Sequence, residues 1–260
     1  MTVINCVHRN RMDCALSGMK KIVLFVLLCF VAPALASLAV RAASSQPGSW
    51  RAADWSSSGI LPAASQTSGA AIYVLAARTG GLKGALAVHS WIVTKPAGAK
   101  RYNRYDKVGW GNPIRTNAYP ADGRWYSNAP DVLLELHGAD AEQLIPQIEA
   151  AVRDYPFSGR GDYKIWPGPN SNSFVAYVLR TVPQLGIALP PEAVGRDFRA
   201  FGDFVTLSQD WRNFELSLGG YAGVAVGALY GLEVRLGGLV FGFDIARPGV
   251  KLPGFGRIGI

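Results

Sequence analysis

The spacing of apolar positions changes several times along the chain, and each change marks an element. From Ile22 to Val40 nearly every residue is apolar, with Pro33 inside the run. The run is about long enough to cross a bilayer, and Met19-Lys20-Lys21 places positive charge before it. Strand-like runs follow at Ala71 to Ala76 and Gly84 to Val93, the second with His89 in its middle. Lys95-Pro96-Ala97-Gly98 closes that strand as a turn. Tyr102 to Trp110 reads as a polar, aromatic-edged partner strand, Asp122-Gly123 as a hairpin tip, and Asp131 to Leu136 as another strand. Helical spacing then begins at Gly138, where Leu144, Ile145, Ile148 and Val152 form an apolar stripe. Asp140 and Gln143 stand at capping-box spacing, and Tyr155-Pro156 ends the helix.

The stretch Trp166-Pro-Gly-Pro-Asn-Ser-Asn-Ser-Phe174 organises the middle of the chain. Its prolines and glycine forbid regular structure at the start. Asn170, Ser171, Asn172 and Ser173 all suit a helix cap, and Phe174, Val175, Tyr177, Val178 and Leu179 begin an apolar helical face. A rigid loop therefore delivers hydroxyl and amide groups to a helix start, where unpaired N–H groups and the positive helix end gather. Pro183, Pro190 and Pro191 break the chain again, and Glu192 to Phe198 reads as an exposed turn.

In the tail, Gly219, Gly223, Gly227 and Gly231 recur every fourth residue. On a helix they would line one face, as in membrane helix pairs; alternatively, they belong to glycine-rich strands closing a small barrel. Leu232 to Leu236 and Leu239 to Ile245 flank Gly237-Gly238 as the arms of a hairpin. That hairpin is soluble in character, which favours close packing of the tail within the globule.

Composition narrows the function classes. The three cysteines, Cys6, Cys14 and Cys29, all precede residue 37, so the body holds no disulfide, thiolate metal site or cysteine nucleophile. With only His89 and His137 in the body, no metal site and no cofactor is implied. The formal charge is +8, and removing the first 36 residues leaves 22 basic and 17 acidic side chains, +5. No basic cluster interleaved with aromatics stands out, so nucleic acid is not an expected partner.

The domain reading has four parts. Residues 1–18 carry no pattern and look like a non-native start extension ahead of Met19. Residues 19–41 form a signal peptide, with Ala34-Leu35-Ala36 as a cleavage site, or an uncleaved membrane anchor. Residues 42–70, rich in Ser, Ala and Gly, form a linker that Trp50 and Trp55 fasten to the domain or to a membrane interface. Residues 71–260 form one α+β domain. The membrane is the expected partner of the N-terminal segment. The body is expected on the periplasmic side of the inner membrane or free in the periplasm.

Four stretches resemble one family: Ala87-Val-His-Ser-Trp91, Val108-Gly-Trp-Gly111, Trp166 to Phe174, and Leu189-Pro-Pro-Glu-Ala-Val-Gly195. They look like the bacterial domain-of-unknown-function family numbered 3750, over roughly residues 50 to 260, which brings no established activity. A more distant resemblance is to circularly permuted papain-like proteins, the relatives of lecithin:retinol acyltransferase. Those place a strand histidine before a nucleophile that opens a helix in an Asn-Cys-x-x-Phe-Val type segment. Asn170 to Val175 is similar in shape, with Ser171 at the cysteine's place and His89 at the base's. The resemblance implies a small antiparallel sheet or barrel with packed helices.

The candidate site follows. Ser171 would attack an amide or ester carbonyl, His89 would take its proton, and N–H groups at the helix start, with Asn170 and Asn172 nearby, would hold the oxyanion. Asp106, Asp131 and His137 compete to orient His89. Trp91, Trp110 and Trp166 are the aromatic candidates for a cleft wall, and Arg115 and Arg124 for pairing with an anionic substrate. Two function classes remain: an envelope hydrolase or acyltransferase, and a non-catalytic envelope module that binds a small-molecule, lipid or cell-wall ligand or has a structural role.

Overall fold

A computed structural model describes residues 17–199 and 202–259. The expected start extension, residues 1–18, lies outside them except for Ser17 and Gly18, which open a long apolar helix, α1 (Ser17–Ala43). The helix is continuous through Pro33. Proline lacks an N–H and its ring crowds the carbonyl four residues earlier. Here the turn just before it, Leu27–Val31, is wound wider, as a π-helix.

Five antiparallel strands form the first sheet: β1 (Ala71–Arg78), β2 (Val88–Lys95), β3 (Asn103–Lys107), β4 (Ile114–Thr116) and β5 (Asp131–His137), in the order β4-β3-β2-β1-β5. Gly84 and Ala85, expected inside the second strand, instead belong to a 3-10 turn, Gly81–Ala85, ahead of it. Asp122-Gly123 is not a hairpin tip between strands. Gly123 bridges to Ser57, and the Asp122 carboxylate accepts from the Ser57 hydroxyl at 2.6 Å.

Two helices cover one face of this sheet: α2 (Gly138–Arg153) and α3 (Ser171–Thr181). Alternation along the strands sends Ile72, Val74, Ala76, Val88 and Ile92 toward them, against Ile148, Phe174, Val175 and Val178. Full burial of each such side chain contributes about 1.5–3 kcal/mol. The opposite face carries Tyr73, Leu75, Trp91 and Val93, and Trp125 covers them. Trp55 packs edge-on against Trp125, centroids 5.1 Å apart, so the approach segment is fastened to the domain through that ring.

The cap of α2 departs from expectation. Its N-cap is His137, with no side-chain cap bond, rather than Asp140. β5 stays paired to its last residue, and Gly138, at φ +69°, turns the chain directly from strand into helix.

The tail is a seven-stranded antiparallel meander: β6 (Val205–Leu207), β7 (Asn213–Ser217), β8 (Ala222–Gly227), β9 (Gly231–Leu236), β10 (Leu239–Asp244), β11 (Gly249–Leu252) and β12 (Gly256–Gly259). The Gly237-Gly238 turn, both residues at positive φ, joins β9 to β10. Gly223 and Gly227 lie in β8 and Gly231 opens β9, so the four-residue glycine period is not a helix face. The barrel expectation is corrected as well. Among the described residues the strand order runs from β12 to β6 without pairing those ends, so the sheet is open. The observed class is α+β.

Candidate functional site

His89 leaves β2 on the face opposite Val88 and Ser90. Its Nε2 lies 2.8 Å from Asp106 Oδ1 on β3, and its ring stacks on Trp125 with centroids 3.6 Å apart and planes within 2°. Arg104 closes the group, donating from Nε to Asp106 Oδ2 at 2.7 Å and from a terminal nitrogen to Oδ1 at 2.9 Å. The same guanidinium lies 4.0 Å over the Trp91 ring, whose Nε1 donates to the Ala121 carbonyl. All three polar side chains are buried. Burial pushes the His89 pKa below the ordinary histidine value despite the Asp106 carboxylate. Burial alone would raise Asp106, but the Arg104 charge and the His89 hydrogen bond outweigh it and hold the carboxyl below its usual range. The pair is therefore a neutral imidazole on a carboxylate near pH 7.

The start of α3 is built by its asparagines. Asn170 is the N-cap, its side chain accepting from the N–H groups of Asn172 and Ser173, and the Ser173 hydroxyl accepts from the Asn170 N–H at 2.7 Å. Asn172 reaches across to β2. Its amide nitrogen donates to the Val88 and Val194 carbonyls, both at 2.9 Å, and its oxygen accepts from the Ser90 hydroxyl at 2.8 Å. The Asn170 and Asn172 amides are thus engaged with the protein's own backbone. Ser171, also buried, lies by the Tyr163 phenol, which burial raises and the Ser171 hydrogen bond opposes. Among the described residues, Asp106 holds the Nε2 of His89, and Ser171 is buried beside the Tyr163 phenol.

The other candidates scatter. Asp131 is exposed at the start of β5, and His137 at its end pairs with Glu135 at 2.6 Å. Trp91 is core, whereas Trp110 and Trp166 are exposed, Trp166 meeting Tyr221 edge-on. Arg115 donates to the Trp110 carbonyl and Arg124 pairs with Asp54. The Glu192 to Phe198 turn is not exposed. Arg196 and Asp197 are buried because Arg196 reaches Glu233 and the Asp197 carbonyl accepts from Ser217.

Comparison with known families aligns residues 69–198 with a model described as "Protein of unknown function (DUF3750)". The chain belongs to the DUF3750 family. No curated protein and no solved structure matches it. The DUF3750 span opens just before β1, holds His89, Asp106, Ser171 and both asparagines, and ends after the Arg196-Asp197 turn. It explains why the four recognised stretches read as one signature. Asn172 bonds to Val88 and Val194, a Cβ at Gly195 would lie 2.3 Å from Asn170 Nδ2, and Gly109 gives room to the Tyr163 ring. Residues 87–91, 166–174 and 189–195 meet at the mouth of α3, where Asn172 holds it to β2.

A cavity of about 660 Å³ lies beyond the other end of α3, between that helix and the inner side of the seven-stranded sheet. Leu179, Ile187 and Leu229 give it apolar walls, and its charged lining sets Arg180, Arg196 and Arg235 against Asp210 and Glu215. Arg235 is paired with Glu215 and Glu233, and Arg196 with Glu233. Arg180, by contrast, donates to the Arg196 carbonyl at 3.3 Å; among the described residues no carboxylate stands at ion-pair distance from it, although the charges of Glu215 and Asp203 are felt there. The sequence signals missed here are Arg180, at the polar edge of an apolar helix, and Lys107. Burial lowers Lys107 to about 8 while its Nζ donates to the Phe157 carbonyl at 2.6 Å.

Proposed function

We propose that this protein is a membrane-anchored, non-catalytic envelope module that binds an anionic amphiphile in the cavity beside Arg180. The single observation that carries the reading is the Arg180 guanidinium, set against an apolar cavity with a carbonyl rather than a carboxylate as its partner. A cavity of this size lies within the usual range for small-molecule sites, and a carboxylate or phosphate headgroup would give Arg180 a direct ionic contact. Apolar walls suit an acyl chain. His89, buried and held by Asp106, and Ser171, buried at the α3 mouth, both support structural roles for these side chains.

The anchor is the retained α1. Phe30 and Ala34 are buried against the body, Ser37 donates to the Ala85 carbonyl at 2.7 Å, and Arg41 donates to the Thr79 carbonyl at 3.0 Å. A cleaved signal peptide has no reason to be built into the mature fold. An anchor of this kind supports a membrane surface as the place of the body.

One observation favours a second reading, acyl transfer on a permuted papain-like scaffold. Asp106 orients His89 as a base would be oriented, and Ser171 opens a helix. Two assays separate the readings. Binding of a dansyl-labelled fatty acid, lost in Arg180→Ala and unchanged in Ser171→Ala, supports the module. Ser171-dependent labelling by a fluorophosphonate probe supports the enzyme and overturns the first reading.

A further inference from the structure

The seven-stranded sheet is inverted. Its inner side holds Glu215, Glu233, Arg235 and Lys251, all buried and joined in ion pairs. Its outer side is apolar on every strand, and Phe214, Val226, Leu232, Leu236, Phe243 and Ile258 stand exposed there. Register makes this one surface. Phe214 lies opposite Val226, Val226 opposite Leu232, Leu232 opposite Phe243, and Val250 opposite both Phe243 and Ile258. A contiguous exposed apolar patch of this extent is not an ordinary solvated face.

α1 says what covers it. Phe25 and Phe30 pack against Phe241 on that same outer side, centroids 5.6 and 6.2 Å apart. The helix then stays with the body as far as Arg41. From Phe25 to Arg41 it runs about 24 Å, and the described helix before Phe25, from Ser17, adds about 12 Å. A bilayer's hydrocarbon core is about 30 Å thick. The apolar helix cannot bury its length in lipid while the sheet it rests on stays in water. The strands of this sheet, six residues at most, are too short to span, since a spanning strand needs about 9–11 residues. The sheet edges are also open, which excludes immersion of the whole sheet.

We propose that the outer face of the seven-stranded sheet, together with α1, seats on a lipid bilayer as a monotopic surface. The sheet lies on the membrane with its apolar side toward the acyl chains, and its ion-paired side faces the rest of the protein. The formal charge of +8 favours anionic lipid.

The test uses the full chain with its three cysteines replaced by serine, in vesicles of phosphatidylethanolamine and phosphatidylglycerol. Single cysteines at Val226, Leu232 and Phe243, and at exposed Ser158 as a control, carry nitroxide labels. Collision with oxygen, which enters lipid, is compared with collision with a water-soluble nickel chelate. Lipid seating gives oxygen access and nickel protection at the three sheet positions and the reverse at Ser158. Nickel access at all four positions overturns the proposal. Protection from both reagents, with cross-links between copies at Leu232, assigns the face to a second copy and also overturns it. Because α1 tethers the chain in every case, vesicle binding alone is not the readout.

Discussion

The His89 ring lies flat on Trp125, 3.6 Å between centroids, with Asp106 holding its Nε2. This makes His89 a neutral, buried group whose protonation the fold resists. Its folded pKa is below the ordinary value of about 6.5, so below that pH the unfolded chain takes up the proton first. Stability contributed by the neutral ring is complete above about pH 6.5 and is lost as pH falls toward the folded pKa. Thermal melts from pH 7.5 to 5 are expected to show a falling midpoint, with a shallower slope in His89→Gln. Equal slopes in the two proteins would contradict this account of the ring.

The mouth of α3 depends on an asparagine more than on its serine. Asn172→Ala removes a ligand shared by two carbonyls and the Ser90 hydroxyl. A buried polar group left without its partner costs about 1–3 kcal/mol, so denaturant titration should show a loss of about 2–4 kcal/mol. Ser171→Ala removes a hydroxyl whose neighbour is the Tyr163 phenol and should cost about 1 kcal/mol or less. The reverse ranking would mean that Ser171 carries more of the structure than its contacts do.

The ion pairs under the inverted sheet make the next prediction. Glu233 is shared among Arg196, Arg235 and Lys251, whose charges, against its own burial, hold its carboxyl well below the carboxylate range. Glu233→Gln leaves buried cations without their counter-charge and is expected to cost about 3–5 kcal/mol. Glu135→Gln, on an exposed pair, should cost about 1 kcal/mol or less. Unfolding curves of the two variants check the contrast.

These elements show what a linear reading reaches. The β9–β10 hairpin is legible because both its period and its Gly-Gly turn are local, and so is the Asn170 cap, which uses residues within three positions of itself. The cap of α2 is not, since β5 runs on to His137 by pairing with a strand some sixty residues away. Nor is the burial of Arg196, which depends on Glu233, 37 positions later. Alternation in the tail marks two faces of a sheet but not which one meets solvent, and charges such as Glu233 and Arg235 read by default as the outer face. Asp106 stood among three candidates to orient His89, and only the spacing of β2 and β3 distinguishes it.

Retention of α1 is directly measurable. Phe30, Ala34, Ser37 and Arg41 tie it to the body, so intact mass of the protein recovered from membranes should still include the segment around Phe30. A mature N-terminus at Ser37 would contradict the anchor.

The central claim is that the ligand site lies beside Arg180 and not at the mouth of α3. A fatty acid carrying a photoactivated diazirine on its acyl chain, cross-linked to the full chain and mapped by mass spectrometry, tests it most directly. The account predicts adducts on cavity residues such as Leu179, Ile187 and Leu229, competed by unlabelled fatty acid and lost in Arg180→Ala. Adducts centred on His89, Trp125 and Ser171, or labelling that Arg180→Ala leaves intact, would contradict it.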